Sequence, residues 1–271
     1  MPHLDLPGAS LYYETDGHIT SPALLLLHAG IASLRMWDPL VPRLAGDHFV
    51  IRFDERGFGQ TKTENAEFSD RQDARDLLDH LGVDQAVVIG SSRGGSIALD
   101  LAVETPARVT GVMTIGSGPS GYPEAELTEA ETAAFEKIDS LFKAGEWHQL
   151  MRAETEVWAF GPTRRASELD PAFVEIAYEV HRPNAAHWSE EPVDLELDPP
   201  AYGRIAEITV PVLATVGDLD VSVCLDQQVF LVESIPNAEG YIFADSAHLP
   251  SLEHQDEFAA VLTGWMRRNG L

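Results

Sequence analysis

The sequence predicts an α/β protein with a mostly parallel central sheet, helices on both faces and one helical insertion. Short unbroken apolar runs alternate with helical stretches from about residue 23 to residue 115. Region 119–199 then lacks convincing strands, and the strand–helix alternation resumes near residue 212. Unbroken apolar runs are typical of strands buried on both faces, as in parallel sheets. We therefore expect one sheet covered by helices, with the insertion outside it.

The predicted strands are short and are separated by helices with clear stop signals. Apolar runs of strand length occupy residues 23–27, 49–53, 86–89, 109–115, 212–216 and 241–243. Residues 11–15 alternate weakly, which predicts an edge strand. Helices are predicted over residues 69–81, 92–105, 224–234 and 255–268. Gly82 and Pro106 follow the first two helices and are typical of helix ends.

The insertion is predicted to be a helical lid over residues 119–199, and residues 1–118 and 200–271 are predicted to form the core domain. Its helices are expected over residues 124–144 and 171–180, and it closes with a pair of prolines. Four aromatic residues in the insertion are candidates for an apolar substrate-binding surface: Trp147, Trp158, Phe160 and Trp188. The alternative is that these rings only pack the lid onto the sheet.

Composition limits the classes of partner. The 271 residues include 44 acidic and 18 basic residues, which gives a net charge of −26. Such a chain has no basic surface for nucleic acid or for an anionic membrane. The single cysteine, Cys224, cannot form an internal disulfide, and the first residues lack a secretion signal, so we expect a cytoplasmic protein. The sequence leaves open whether it is a monomer or a homodimer.

The strongest chemical signal is the segment Gly-Ser-Ser-Arg-Gly at residues 90–94, which matches G-x-S-x-G. It lies between a predicted strand and a predicted helix. A nucleophile on such a sharp turn needs small neighbours, and the turn places its hydroxyl at a helix N-terminus. Ser92 is therefore the candidate nucleophile.

A serine nucleophile needs a base, and the base needs a carboxylate that fixes its tautomer. Of ten histidines, His248 directly follows the predicted strand at 241–243, where sites assemble in open α/β sheets. Asp220 follows the strand at 212–216 and is the candidate acid, with Asp218 as its rival. The chain order Ser92, Asp220, His248 is the order expected for a nucleophile on this type of turn.

An oxyanion hole requires two N–H donors. The residue after the nucleophile, Arg93, supplies one backbone donor, and the loop after residues 23–27 supplies the other. Gly30 is the candidate in that loop and Ile31 is the alternative. We expect His28 to hold the loop by hydrogen bonds.

Five segments together carry a family resemblance. They are Leu-His-Ala-Gly at 27–30, Asp-Glu-Arg-Gly-Phe-Gly at 54–59, Gly-Ser-Ser-Arg-Gly-Gly at 90–95, Gly-Asp-Leu-Asp at 217–220 and Ala-His at 247–248. Over nearly its whole length the chain resembles the α/β-hydrolase superfamily. It looks most like the lidded branch with carboxylesterases, 3-oxoadipate enol-lactonases, cofactor-independent haloperoxidases and C–C bond hydrolases.

The resemblance implies an α/β-hydrolase fold and a structural turn at residues 54–59. The sequence departs from the common pattern at two points: His-Ala-Gly replaces His-Gly in the oxyanion loop, and Arg93 stands where Met or Gln is common. The Arg93 side chain could reach an acidic substrate group or pair with local carboxylates, and we favour pairing. Haloalkane dehalogenases and epoxide hydrolases resemble this fold but use aspartate as nucleophile, so Ser92 argues against those chemistries.

These observations predict a serine hydrolase that cleaves carboxylic esters of small to medium acyl groups. The alternatives are an enol-lactonase or C–C bond hydrolase with the same triad, and a non-catalytic binding protein on a hydrolase fold. No metal and no cofactor are predicted, because histidines at zinc-site spacing are absent. The G-x-G-x-x-G match at residues 116–121 is rejected as a nucleotide site because no helix follows it directly.

Overall fold

The computed structural model describes residues 2–271; Met1, the first residue of the predicted core domain, lies outside them. Within the described residues, nine strands form one sheet in the order β1-β2-β4-β3-β7-β8-β10-β11, with β5 paired to β2. The strands of this sheet are β1 (His3–Leu6), β2 (Ala9–Asp16), β3 (Ala23–Leu27), β4 (Phe49–Phe53), β5 (Lys62–Thr63), β7 (Ala86–Ser91), β8 (Val109–Ile115), β10 (Val212–Gly217) and β11 (Ala238–Phe243). A separate parallel pair joins β6 (Glu67–Phe68) to β9 (Val193–Asp194).

The sheet is parallel from β4 to β11, and β1 and β2 are antiparallel additions at one edge. Parallel neighbours end at the same edge, so the loops after β3, β7, β10 and β11 meet there. These are the loops that carry the candidate site residues. The mostly parallel sheet of the sequence analysis is confirmed.

Helices cover both faces of the sheet. The helices of the described chain are α1 (Val41–Leu44), α2 (Asp70–His80), α3 (Arg93–Glu104), α4 (Glu129–Ala144), α5 (Trp147–Trp158), α6 (Pro171–His181), α7 (Ser222–Ser234), α8 (Pro250–Glu253) and α9 (Gln255–Asn269). Short 3-10 helices occupy Leu34–Trp37, Pro106–Arg108, Ala166–Glu168, Arg182–His187 and Ala201–Glu207.

The core lies in two layers because successive side chains of a strand point to opposite faces. Leu25 and Leu27 of β3 pack into one layer with α2, α3 and α7, whereas Leu24 and Leu26 pack into the other with α1, α6 and α9. All four leucines are fully buried. This double burial explains the unbroken apolar run that predicted the strand.

Three details differ from the sequence-based expectation. Residues 11–15 do not form an edge strand, because β1 pairs with β2 and takes the edge position. The predicted helix at 124–144 begins at Glu129, where Thr128 and Glu131 form a reciprocal capping box. The region 119–199 also contains helix α5, which was not predicted, and the short strand β9.

No helix among residues 2–271 combines the length and the apolar character needed to cross a membrane. Helices α4, α5 and α6 all lie between β8 and β10 in the chain. The boundaries of the lid, 119–199, remain a prediction.

Candidate active site

The chain turns sharply between β7 and α3, and Ser92 is the residue at the turn. Its φ of 54° and ψ of −117° lie in a region that non-glycine residues rarely adopt. The Ser92 amide donates to the Ile115 carbonyl of β8 at 2.8 Å, which fixes the turn to the sheet. A Cβ at Gly90 would lie 2.1 Å from the Gly94 carbonyl oxygen, so only glycine fits there. This is the geometry that the G-x-S-x-G motif predicted.

Asp220 and His248 form a hydrogen-bonded pair after two neighbouring parallel strands. His248 Nδ1 lies 2.8 Å from Asp220 Oδ2 and 3.0 Å from Oδ1, and both residues are at least 95% buried, with 5% and 1% exposure. The ionised carboxylate accepts, so Nδ1 carries the proton and Nε2 is left as the basic nitrogen. The rival Asp218 is exposed and accepts the Ser246 amide at 3.3 Å. The geometry thus favours Asp220.

Ser92 and His248 line one cavity of about 280 Å³ at the end of the sheet. The lining residues are Gly30, Ile31, Ser92, Glu154, Trp158 and His248. His248 Nε2 is buried and has no hydrogen-bond partner within residues 2–271, so the Ser92–His248 hydrogen bond is not formed in this structure. Such catalytic hydrogen bonds often tighten only when substrate binds.

One candidate oxyanion donor, Arg93, directly follows Ser92, and the other, Gly30 or Ile31, lines the Ser92 cavity. Arg93 is the first residue of α3, where backbone N–H groups have no partner inside the helix. The amides of Gly30 and Ile31 make no hydrogen bond within the described residues, and both residues line the cavity. His28 donates from Nδ1 to the Ala29 carbonyl at 2.9 Å and accepts the Glu55 amide at Nε2. It therefore holds the loop, as expected.

The Arg93 side chain pairs with buried carboxylates. Its Nε donates to Glu55 Oε2 at 2.8 Å, and its Nη2 contacts Asp70. Burial raises the pKa of Asp70 well above its usual value, and the Arg93 charge opposes that rise. Glu55 and Asp70 are almost fully buried, whereas the Arg93 side chain is 31% exposed. The Arg93 guanidinium is thus paired with two carboxylates of the protein itself.

The chain matches an α/β-hydrolase fold family model over residues 22–255. It belongs to the α/β-hydrolase family. It is 26% identical to a 2-hydroxy-6-oxo-6-phenylhexa-2,4-dienoate hydrolase of Comamonas testosteroni, over 97% of this chain and 93% of that protein. It is 23% identical to 3-oxoadipate enol-lactonase 1 of Acinetobacter baylyi, over 96% and 94% of the two chains.

A solved structure from work on carboxylesterases of the thaumarchaeon Nitrososphaera gargenis has a TM-score of 0.78 to this hydrolase. Its sequence identity is 23%, and the match covers 99% of each chain. That likeness shows the fold. The predicted family and fold are confirmed, and the relatives support a hydrolase of the esterase or lactonase type.

The four aromatic residues predicted to bind substrate occupy three different environments in the hydrolase. Trp158 lines the Ser92 cavity. Phe160 is fully buried and packs against Phe173 and Tyr178, so it belongs to the core and does not reach the cavity. Trp147 and Trp188 stack on each other at 5.5 Å and line a separate cavity of about 700 Å³. Only Trp158 is placed to contact a substrate at Ser92.

Glu154 is a site residue that the sequence analysis missed. It lies one helical turn before Trp158 on α5, so both side chains share the face that lines the cavity. Burial raises its pKa to about 7. Its Oε2 lies 3.5 Å from His181 Nε2, and burial lowers the pKa of His181 to about 4. Although this distance would suit an ion pair, burial favours the neutral form of both groups.

Gly116 is a second missed residue, at the end of β8. A Cβ there would lie 2.7 Å from Asp220 Oδ2 and 2.8 Å from His248 Nδ1, and its φ is +56°. The glycine therefore allows the Asp220–His248 pair to sit against the backbone. The sequence signal was the G-x-G-x-x-G match at residues 116–121, whose first glycine marks this close approach.

Cys224 lies beside the Asp220–His248 pair, with its Sγ 3.8 Å from His248 Nδ1. Asp220, Cys224 and His248 could in principle share a metal ion, since their donor atoms lie within 4.8 Å of one another. Burial raises the pKa of the Cys224 thiol well above its usual value, and a thiol that stays protonated is a poor metal ligand. The donor set does not suit a metal, and the prediction of no metal stays a prediction.

Proposed function

We propose that this protein is a serine hydrolase that cleaves carboxylic esters or lactones of small to medium acyl groups through an acyl-enzyme on Ser92. The observation that carries the proposal is that His248, hydrogen-bonded to Asp220, lines the same cavity as Ser92 on its strained turn. A hydroxyl, an imidazole and a carboxylate in this arrangement are the parts of an acyl-transfer site.

In the first half of the proposed reaction, Ser92 Oγ attacks the substrate carbonyl while His248 Nε2 takes the hydroxyl proton. Asp220 holds the imidazole in the required tautomer and stabilises its charged form. The backbone N–H groups of Arg93 and Gly30, with Ile31 as the alternative to Gly30, donate to the oxyanion. Preorganised donors of this kind lower the barrier because they need no reorganisation as charge develops.

In the second half, His248 gives the proton to the leaving alcohol, and the C–O bond to the leaving group breaks. Water then attacks the acyl-enzyme with His248 again as base, which releases the acid and restores the Ser92 hydroxyl. A lactone follows the same steps, except that its leaving alcohol stays attached to the acyl group.

The cavity favours a short acyl group. Its volume of about 280 Å³ lies just below the range of roughly 300–1,000 Å³ that holds drug-sized ligands. Trp158 supplies an apolar wall, and its ring packs against His248. We therefore expect butyrate-sized acyl groups to react faster than octanoate-sized ones.

Two alternatives use the same fold. A C–C bond or enol-lactone hydrolysis by the same triad is favoured by the similarity to the Comamonas testosteroni and Acinetobacter baylyi proteins. A binding protein on a hydrolase fold would usually lack a triad member, whereas Ser92, Asp220 and His248 are all present.

The experiment is a rate comparison of p-nitrophenyl acetate, butyrate and octanoate with simple lactones and a dienoate C–C substrate, using wild type and Ser92→Ala. We expect Ser92-dependent hydrolysis of the short esters or lactones. Full activity in Ser92→Ala would contradict the acyl-enzyme. Turnover of the dienoate alone would favour the C–C hydrolase, and no turnover of any substrate would favour the binding protein.

A further inference from the structure

We infer that Glu154 is a specificity-determining residue, which disfavours substrates with a carboxylate near the reacting carbonyl and selects uncharged esters or lactones. This inference deepens the proposed function and rests on it. The observation behind it is an acidic side chain, supplied by α5, in the wall of the Ser92 cavity.

The cavity offers no cation to a substrate carboxylate. Glu154 and His248 are its only ionisable lining residues among the described part of the chain, and the proposed chemistry needs His248 as a neutral base. The nearest arginine in sequence to the nucleophile, Arg93, is already paired with Glu55 and Asp70. Above about pH 7, where Glu154 is ionised, a substrate carboxylate bound here would meet a like charge with no counter-ion, and that is costly in a partly desolvated site.

Glu154 itself lacks a partner that would neutralise it. Its carboxylate makes no hydrogen bond within residues 2–271, and its side chain is 27% exposed. The imidazole of His181 on α6 faces it at 3.5 Å, but burial lowers the pKa of that imidazole to about 4. His248 is the histidine that lines the same cavity as Glu154.

The elements packed against α5 are α4, α6 and the 3-10 helix Arg182–His187. On α4, Glu131 accepts from Ser222, and Lys137 lines a different cavity with Arg152 and Glu156. On the 3-10 helix that follows α6, Arg182 pairs with Glu179. The ionisation of Glu154 is therefore governed by its burial, which raises its pKa to about 7. Its charge, and the exclusion of anions, should grow as the pH rises through this value.

The test compares p-nitrophenyl butyrate with the mono-p-nitrophenyl ester of glutaric acid, which adds a terminal carboxylate to a short acyl chain. The readout is the ratio of kcat/KM for the neutral ester to kcat/KM for the anionic ester, from pH 5.5 to pH 9. The substrate carboxylate, with a pKa of about 4.3, stays ionised throughout. Both esters use the same proposed catalytic groups, so the ratio isolates the effect of the added carboxylate.

In wild type we expect the ratio to rise with pH around 7. In Glu154→Gln the ratio should change little with pH. At pH 8.5 the ratio in this variant should be about tenfold or more below the wild-type ratio, as expected for like charges within ~10 Å at an effective dielectric constant of ~20. The matched control is Glu156→Gln. It removes the same charge from the same helix, but Glu156 contacts Arg152 and Tyr178 outside the Ser92 cavity. Its ratio should follow wild type.

Equal ratios in Glu154→Gln and Glu156→Gln would overturn the inference, and so would a wild-type ratio that does not change with pH. If Glu154→Gln does not fold, the wild-type pH profile alone decides. If Glu154→Gln hydrolyses both esters with the wild-type ratio, this inference is wrong and the proposed function stands. Absence of any Ser92-dependent hydrolysis would overturn the proposed function, and the inference with it.

Discussion

The indole ring of Trp158 packs against the imidazole of His248, with ring centroids 4.7 Å apart and the planes tilted by 42°. The His248 amide also donates to the Trp158 carbonyl at 3.3 Å. The last residue of α5 is thus in contact with the proposed base through both its side chain and its backbone. The helical insertion therefore helps to position His248 as well as to enclose the cavity.

Trp158→Ala should lower kcat for a short ester by about tenfold to a hundredfold, because a small displacement of a catalytic group has effects of that order. Its backbone hydrogen bond to His248 remains, so the protein should still fold. The measurement is steady-state kinetics on p-nitrophenyl butyrate. Trp147→Ala is the control, since Trp147 lines the other cavity and should leave kcat within about twofold. Equal losses in both variants would contradict this role for Trp158.

Asp220→Asn should reduce kcat by about 10⁴-fold, the order found when the equivalent acid of a serine triad becomes an amide. The amide can donate to Nδ1, which favours the wrong tautomer and removes the basic lone pair from Nε2. Asp218→Asn is the matched control, because Asp218 accepts only the Ser246 amide and is exposed. A larger loss in Asp218→Asn than in Asp220→Asn would reverse the assignment of the acid.

Arg93→Ala should lower the free energy of unfolding by about 3 kcal/mol, since it leaves two buried carboxylates without their cation. Burial already raises the pKa of Asp70, and without the Arg93 charge the folded state would hold that proton still more tightly. The loss should therefore be greater at pH 8 than at pH 5. Urea unfolding at both pH values measures it. Arg108→Ala is the control, because its partner Asp79 is 62% exposed, and we expect a change below about 1 kcal/mol.

Glu154 should make the folded state less stable at high pH. Its pKa is raised from 4.5 to about 7 on folding, so the stabilisation from its proton is complete below about pH 4.5 and is lost as the pH rises through 7. Glu154→Gln should thus gain about 1–3 kcal/mol over wild type above pH 7 and almost nothing near pH 4.5. Urea titrations across this range test the slope, with Glu156→Gln as control. A gain that is independent of pH would be inconsistent with titration of Glu154.

Ser92, Asp220 and His248 could be proposed from the sequence because each signal is local. Each residue lies within a few positions of the end of an apolar run, and parallel strands bring those ends to one edge. Phe160 shows the limit of such reasoning. An aromatic residue in a predicted lid can face substrate or core, and only the packing of α6 against it decides between them.

Glu154 could not be found for a related reason. Its helix, α5, has no side-chain hydrogen bond at its N-cap, Glu146, and carries tryptophan at both ends, so it lacks a clear start signal. Even with the helix known, the side of it that covers Ser92 depends on how α5 packs against α4 and α6. Tertiary packing of this kind cannot be predicted from local sequence patterns.

Intact-mass analysis and peptide mapping after reaction with a fluorophosphonate probe test whether Ser92 is the nucleophile. We expect a single adduct on Ser92, absent from Ser92→Ala and much slower to form in His248→Ala, because the serine needs its base to attack phosphorus. A folded wild-type protein that remains unlabelled, or that is labelled at another residue with Ser92 untouched, would contradict this role of Ser92.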